Sequence, residues 1–386
     1  MTATEQDSLA LVRRALAHFQ ARTTDQAPTV MPQNLAAYRD PERYRHEVDR
    51  VFRHQPIALC LAIELPGPGT YLALDLLGTP VLVVRGADGV VRAFLNVCRH
   101  RGAQLCPAGR GAARVFACPY HAWTYDDQGA LIGRYRGETF GDVDADTLGL
   151  TALACAERVG IIWGVLTPGL PCAIDDWLGD MAPLLGRLRL DEWHIYKQRD
   201  LPGPGWKVTL DGYLEVYHHD SVHRGTVGEH TVGNLLVWDT YGPHQRMVFG
   251  RRTLGELIGQ PESTWEPERH IRRIHSVFPN VSISGILGDH CLFSQIFPGA
   301  TPDRTITRQT VLCARLPTTD AERAATEAFS AMTLTAVQDE DYAIGFGIQG
   351  GLASGANTQF LFGRNEPAVQ HYHRWVARLS GEVEGQ

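Results

Sequence analysis

No apolar run in the chain approaches the ~20 residues that a membrane-spanning helix needs. Cysteine is sparse. Eight in 386 residues are too few for a disulfide scaffold, so each must be weighed as a ligand or as a buried apolar side chain. Basic charge is not in excess either: a net charge of −7 argues against a nucleic-acid partner, because phosphate recognition needs a clustered basic face. The N-terminal stretch MTATEQDSLALVRRALAHF interrupts its apolar residues with charge and has no signal-peptide core. No internal repeat or low-complexity tract occurs. What is present is the composition of a soluble globular protein, 44% hydrophobic and 20% charged, long enough for two domains. A cytoplasmic location without a membrane partner is expected.

Leu9 to Phe19 is expected as an amphipathic helix. Asp40 to Phe52 (DPERYRHEVDRVF) is expected as a second, with Asp40 as N-cap and Pro41 at the first helical position. From Ile57 the pattern changes to short β-branched runs, and the turn GADG between two of them predicts a hairpin. Such strands continue to RVGIIWGVLTPG, near residue 169. A Pro/Gly-rich joint, DLPGPGWK, leads into a helical stretch. Residues 230–315 then alternate apolar and polar, as in PNVSISGIL and RTITRQTVLCARL, which predicts antiparallel strands. A long helix is expected from Asp320 to about Ile348. The fold class expected is α+β: a small all-β domain (residues 45–165) inserted in an α+β domain (residues 166–386) built on an antiparallel sheet with helices. The N-terminal helical segment (residues 1–44) is expected to pack on the latter or on a neighbouring subunit.

The β-rich block contains NVCRHRGAQLCPAGRGAARVFACPYHAW. Cys98 and His100 form a C-x-H pair, and Cys118 and His121 a C-x2-H pair. Two thiolates and two imidazoles at paired short spacings can close a metal site between two loop tips. Three readings compete. One is a pair of buried cysteines beside two satisfied histidines. Another is tetrahedral zinc, although zinc fingers usually pair Cys with Cys and His with His. The third is a Rieske [2Fe–2S] centre, in which two Cys hold one iron and two His the other. CRHRGAQL and CPYHAWTYDDQGALIG closely resemble the two cluster loops of the Rieske family. The resemblance implies that Cys98 and Cys118 bind one iron and His100 and His121 the other. Cys106 falls outside both pairs and is expected to be structural. Cys60, Cys155, Cys172, Cys291 and Cys313 are expected in cores, and Tyr120 and Trp123 in loop packing.

A second concentration of donors is WKVTLDGYLEVYHHDSVH, Trp206 to His223. On a continuous helix Asp211, Glu215 and His218 would share one face. His223 would be rotated away, so an unwinding at His219-Asp220-Ser221 is expected to let His218 and His223 converge. The competing reading is a polar helix face with exposed histidines. The apolar neighbours Leu210, Leu214, Val216 and Tyr217 weigh against it, because an unpaired acid among them is costly to bury. A partner carboxylate is sought in TAVQDEDYAIGFGIQGGL. Asp341 has Val337, Ile344 and Ile348 at helical spacing and is expected on a buried stripe. Asp339 is expected to be better solvated. GFGIQG within this segment satisfies G-x-G-x-x-G, but it ends a helix instead of following a strand, so no dinucleotide site is expected.

From the Asp40 helix to the C-terminal helix, the chain resembles the α-subunit of the Rieske non-haem iron (ring-hydroxylating) oxygenases. The resemblance implies that His218, His223 and Asp341 hold a mononuclear Fe(II) as a 2-His-1-carboxylate triad with open positions. The Glu-Asp pair followed by Gln349 and Leu352 fits the family's closing pattern; Phe346 departs from it, standing where an acid is usual. Glu215 is implied to bridge His121 of one subunit to His218 of the next, and so to imply a cyclic oligomer, most simply a homotrimer. Asp211 is expected to be a helix-face acid supporting His223 or a neighbour, and His219 to lie behind the ligands or in solvent. Many aromatic dioxygenases of the family have Asp at position 215, and Gly212 stands where Asn is frequent. Glu215 resembles the branch of choline- and carnitine-type monooxygenases.

The function expected is therefore an oxygenase component using O2 and two electrons. These come from a separate NAD(P)H-dependent reductase, with or without a ferredoxin. The outcome is hydroxylation, dihydroxylation or oxidative dealkylation of a small organic substrate, possibly aromatic. The alternatives are a quaternary-amine monooxygenase or N-demethylase of the same family and, from other classes, a pure Rieske electron carrier or a zinc hydrolase. An accompanying β-subunit is not excluded. The substrate pocket is expected from residues 210–235, 275–300 and 340–360.

Overall fold

The computed structural model describes residues 3–285 and 289–381, and the chain divides into two compact units. One comprises residues 52–177 and 188–192; the other comprises residues 1–51, 178–187 and 193–386. In chain order an all-β unit is thus inserted in an α+β unit. Residues 286 and 287, the end of the expected PNVSISGIL strand run, lie outside the described residues.

The inserted unit contains three small antiparallel sheets. The largest pairs Ala152–Leu153, Val91–Leu95, Thr79–Arg85, Thr70–Leu76 and Gly109–Ala112 in that order. Val81 to Val84 are fully buried at the sheet centre, where β-branched side chains fit the pleat. Leu77 and Gly78 connect two strands with φ of 57° and 72°, the geometry of a tight hairpin turn. The GADG hairpin closes through Gly86 N–H to the Val90 carbonyl at 2.9 Å. Leu82, Val84 and Phe94 form a core with Cys98, Cys106, Cys118, Trp123 and Tyr125, which roots the two cysteine loops in packed side chains.

The larger unit is built on a seven-stranded antiparallel sheet. Its order is His194–Gly203, Thr305–Cys313, His290–Pro298, Val281–Ser284, Ile271–Val277, His244–Arg251 and Thr231–Tyr241. The first helix extends beyond the expected limits, over Ala3–Ala21. It packs Leu11, Val12, Ala15 and Leu16 on Leu235, Val237 and Val248 of the sheet and on Leu254 in the turn that follows it, each leucine contributing about 1.5–3 kcal/mol by burial. Asp40 caps the helix Pro41–Glu47 by accepting from the Glu42 and Arg43 N–H groups. The long helix starts with a capping box, Thr319 and Glu322 bonding each other's backbone N–H. Asp320–Leu334 then passes through a π-helical turn, Thr335–Asp341, into Tyr342–Leu352. GFGIQG lies inside this last helix.

The helix Trp206–Tyr213 is anchored from two sides. Lys207 is 3% exposed, and its ammonium donates to Glu47 Oε1 at 2.5 Å and to the Ala37 carbonyl at 2.7 Å. Arg43 also donates to Glu47, at 2.9 Å. Asp211 accepts from Tyr38 Oη at 2.5 Å and His373 Nε2 at 2.7 Å, tying the helix to the N-terminal segment and to the helix Pro367–Leu379. Of the two expected roles, support of His223 or of a neighbour, Asp211 therefore has the second, holding Tyr38 and His373. Lys207 is the more deeply buried of the two cations on Glu47, and its loss leaves that buried carboxylate with Arg43 alone. Lys207→Met is therefore expected to destabilise the protein by about 3 kcal/mol in urea unfolding, and a change within about 0.5 kcal/mol would contradict this account.

Candidate metal centres

The two cysteine loops of the inserted unit repeat one hydrogen-bond pattern. Cys98 N–H donates to the Ala103 carbonyl and Gly102 N–H to the Cys98 carbonyl; Cys118 N–H donates to the Trp123 carbonyl and Ala122 N–H to the Cys118 carbonyl. Both loops turn through a left-handed residue, Gly102 (φ 75°) and Ala122 (φ 54°). Within this shared frame His100 and His121 are brought to a ring-centroid distance of 4.8 Å. His100 stacks on Trp123 at 4.8 Å and an angle of 10°. Cys98 and Cys118 are buried. Arg99 N–H donates to the Tyr125 hydroxyl oxygen, which leaves the hydroxyl proton for Cys98 Sγ at 3.4 Å. Asn96 clamps the Cys106 backbone through both its amide groups, so Cys106 staples the loop. Cys155 and Cys172 are half-buried, not core residues as expected.

The donor chemistry of these loops fits a [2Fe–2S] group. His121 Nδ1 is buried without a hydrogen-bond partner, while Nε2 faces Arg101 Nη2 at 2.7 Å. An unpaired buried polar atom costs about 1–3 kcal/mol, which ligation removes. One tetrahedral ion would draw four donors to within about 4 Å of one another. Among the described residues the loops form no such tight group.

In the larger unit His218, His223 and Asp341 do form one, their ligand atoms lying within 4.8 Å of one another. His218 Nε2 and His223 Nε2 are 3.0 Å apart. Asp341 Oδ1 is 3.0 Å from His223 Nε2 and 3.5 Å from His218 Nε2. Two donors about 2.1 Å from one ion and at right angles lie about 3.0 Å apart, so this triangle suits three neighbouring corners of an octahedron.

Local chain geometry produces the triangle in a way that spacing did not reveal. The helix stops at Tyr213, and Glu215 and His218 are not on it. Glu215 Oε2 accepts the backbone N–H groups of Tyr217 and His218, diverting donors that a continuing helix would use. The expected unwinding at His219-Asp220-Ser221 is likewise displaced: His219–Val222 form a helical turn, and the break precedes them. On the acidic side, Ile344 and Ile348 are 54% and 41% exposed, so Asp341 is not on a buried apolar stripe. It ends the π-helical turn, an irregularity that recurs at functional sites. Asp339 is exposed, as expected. Tyr217 is 63% exposed and does not help to bury the motif.

Carboxylates hold both outer imidazole nitrogens. His218 Nδ1 meets Glu215 Oε1, and His223 Nδ1 meets Glu340 Oε2 at 2.6 Å. Glu340 also accepts from Thr226 Oγ1 at 2.6 Å. Spacing missed Glu340; its position beside Asp341 in an acidic run was the available signal. Burial alone would lower the His218 pKa, but Asp341 and Glu215 outweigh it and push it up to about 10. Burial likewise opposes a raised His223, which Asp341 and Glu340 hold above the ordinary value. Asp341 is lowered despite its burial by the same two imidazoles. Three carboxylates around two imidazoles leave negative charge for a divalent cation to offset. His219, by contrast, is buried rather than exposed, and burial followed by the neighbouring His218 and His223 pushes it down to about 3. It is a neutral wall of the cavity beside the triad.

That cavity, about 210 Å³, includes residues from 212–231 and Ser282, Ser284 and Leu292. It also draws on three segments outside the expected lining: Phe249 and Arg251, Arg272 and Ile274, and residues 332–337. No helix among the described residues is long and apolar enough to cross a membrane.

Comparison with known proteins gives two family matches. Residues 190–382 match the ring hydroxylating alpha subunit (catalytic domain) family, and residues 55–138 match the Rieske [2Fe-2S] domain. The chain is 29% identical over 266 residues to the glycine betaine monooxygenase oxygenase subunit of Chromohalobacter salexigens, covering 68% of this chain and 56% of that protein. It is 30% identical over 210 residues to the carnitine monooxygenase oxygenase subunit of Escherichia coli K12, covering 51% and 56%. The matched part thus spans little more than half the length of these curated relatives. A crystal structure of a quaternary ammonium Rieske monooxygenase in complex with L-carnitine superimposes with a TM-score of 0.78 at 21% identity, over 92% of this chain and 96% of that one, a likeness of fold. The chain belongs to the ring-hydroxylating oxygenase α-subunit family, in which a Rieske [2Fe–2S] domain is joined to a catalytic domain for mononuclear iron.

Proposed function

We propose that the chain is the oxygenase component of a Rieske system, acting on a small organic substrate with O2 and electrons from a separate NAD(P)H-dependent reductase, with or without a ferredoxin. The observation carrying this reading is the His218–His223–Asp341 triangle, in a chain that also has the Cys98/His100 and Cys118/His121 loops. When bound, the two metal groups supply one-electron transfer and O2 activation. Cys98, His100, Cys118 and His121 would hold the cluster, and His218, His223 and Asp341 the Fe(II).

The chain's own part is positional. Glu215 Oε1 and Glu340 Oε2 accept hydrogen bonds from Nδ1–H of His218 and His223, fixing the tautomer that leaves each Nε2 lone pair for the point between the two histidines and Asp341. Phe249, Ile274, Leu292 and Val337 give the cavity apolar walls that exclude water from the reacting substrate. Glu215 Oε1 uses one lone pair on His218 and keeps another. In this reading His121 of the partner subunit exchanges its Arg101 contact for Glu215, the lone pair taking its Nε2–H, which makes Glu215 the link between copies and closes a cyclic homotrimer. A second reading, monooxygenation or N-demethylation of a quaternary amine, is favoured by Glu at position 215 and by the names of the two relatives.

Metal analysis and EPR test this function directly. The expected result is a brown protein with a Rieske-type signal and about three irons per chain, and stoichiometric zinc with no signal would sink the reading. Asp341→Ala should lower the content to about two irons while cluster absorption persists. Glu340→Ala should weaken retention of the mononuclear iron by about 10–100-fold in chelator competition, leaving the cluster spectrum unchanged; unaltered retention would remove Glu340 from the site. Glu215→Gln should retain both metals yet lower reductase-driven turnover by about 100-fold, and normal turnover would dismiss the bridge.

A further inference from the structure

We propose that the substrate is a small organic acid whose carboxylate is held by Arg251 and Arg272 at the wall of the iron cavity. The proposal deepens the oxygenase reading and relies on it only for what lies at the other end of the cavity; the anion site is a property of the sheet itself. Arg251 ends the strand His244–Arg251, and Arg272 lies in its antiparallel neighbour Ile271–Val277. Phe249 pairs with Arg272, and Gly250 with Ile271. In this register Arg251 and Arg272 are diagonal neighbours on one face, together with Phe249 and Ile274. All four line the cavity that also contains His218, His223 and Asp341.

Two like charges at such positions destabilise a sheet unless something negative lies between them. Both guanidiniums give their hydrogen bonds to backbone carbonyls. Arg251 Nη1 donates to the Arg269 carbonyl at 3.2 Å, and Arg272 Nη1 to the carbonyls of Glu268 and Ile271. The nearby Glu268 carboxylate is taken by Arg273 at 2.5 Å. Among the described residues no carboxylate forms an ion pair with Arg251 or Arg272. Burial, followed by the charge of Arg251, pulls the Arg272 pKa down to about 10, and the charge of Glu268 offsets this only in part. Each guanidinium has five N–H donors in a planar fork, so most remain for a ligand, and the fork matches a carboxylate bidentately.

The rest of the cavity selects the rest of the molecule. Phe249, Ile274, Leu292 and Val337 accept an apolar body, and the triad faces the part to be oxidised. A quaternary ammonium alone is held by several aromatic faces, whereas the aromatic rings here besides histidine are Tyr213 and Phe249. A cationic centre on the same substrate would sit at the carboxylate-rich triad end, not beside the arginines.

The test is equilibrium binding to the purified protein by calorimetry, with hexanoate and benzoate compared with hexanamide, benzamide and hexyltrimethylammonium. Both acids should bind at least about tenfold more tightly than their amides and than the ammonium compound. Arg251→Gln and Arg272→Gln should each weaken the acids by about tenfold and leave the amides unchanged, with Arg272→Lys intermediate. Acids that bind no better than amides, an ammonium probe that binds best, or substitutions that weaken acids and amides alike would each overturn the proposal. Iron content and cluster absorption are read on the same preparations. Selective acid binding in a protein without mononuclear iron would contradict the oxygenase reading and leave the anion site standing. Full iron loading without acid selectivity would do the reverse. The two arginine variants are independent, so misfolding of one leaves the other and the acid–amide comparison to decide.

Discussion

The catalytic unit depends on one short-range competition for backbone protons. Glu215 Oε2 captures the N–H groups of Tyr217 and His218, and the helix that starts at Trp206 ends at Tyr213. An uninterrupted helix would have kept Glu215 and His218 on one face and rotated His223 away from them. The break and the turn His219–Val222 bring the two Nε2 atoms to 3.0 Å instead. The same carboxylate then holds His218 Nδ1 through its other oxygen. One side chain thereby sets the chain path and the imidazole tautomer together, which is why adding or removing a charge there acts on geometry as well as on electrostatics.

That local break is tolerable because the helix before it is clamped. Lys207 and Asp211 are held by Glu47, Tyr38 and His373, from segments far apart in sequence. The third corner of the triangle comes from another irregularity, the π-helical turn Thr335–Asp341, whose penultimate residue Glu340 steadies His223 while Asp341 faces both histidines. Two backbone departures on separate elements converge on one point. Neither is a defect in packing, since Leu214, Val216 and Val337 beside them are buried.

Legibility in the sequence followed the range of the interaction responsible. The all-β block, the antiparallel sheet and the capped helix at Asp40 were readable because local periodicity and turn chemistry determine them. The cysteine–histidine pairs were readable because their spacing matches the loops that carry them. What misled was the assumption of helical continuity through Leu214 to His218, since propensity does not reveal a carboxylate that will capture neighbouring N–H groups. The apolar stripe that favours Asp341 over Asp339 in the sequence is in fact exposed at Ile344 and Ile348. Its contacts with His218 and His223 depend on tertiary placement that no local pattern encodes. Glu340, and the side-by-side placement of Arg251 and Arg272, required knowledge of strand register and of a neighbour more than 100 positions away.

On the proposed reading one chain holds two different iron centres, with His218, His223 and Asp341 forming the second. Anomalous diffraction at the iron absorption edge from crystals of the purified protein tests it most directly. Two adjacent peaks are expected at the Cys98/His100 and Cys118/His121 loops, with a separate third peak bounded by His218 Nε2, His223 Nε2 and Asp341 Oδ1. Peaks confined to the loops, or a third site that scatters at the zinc edge and not at the iron edge, would contradict it.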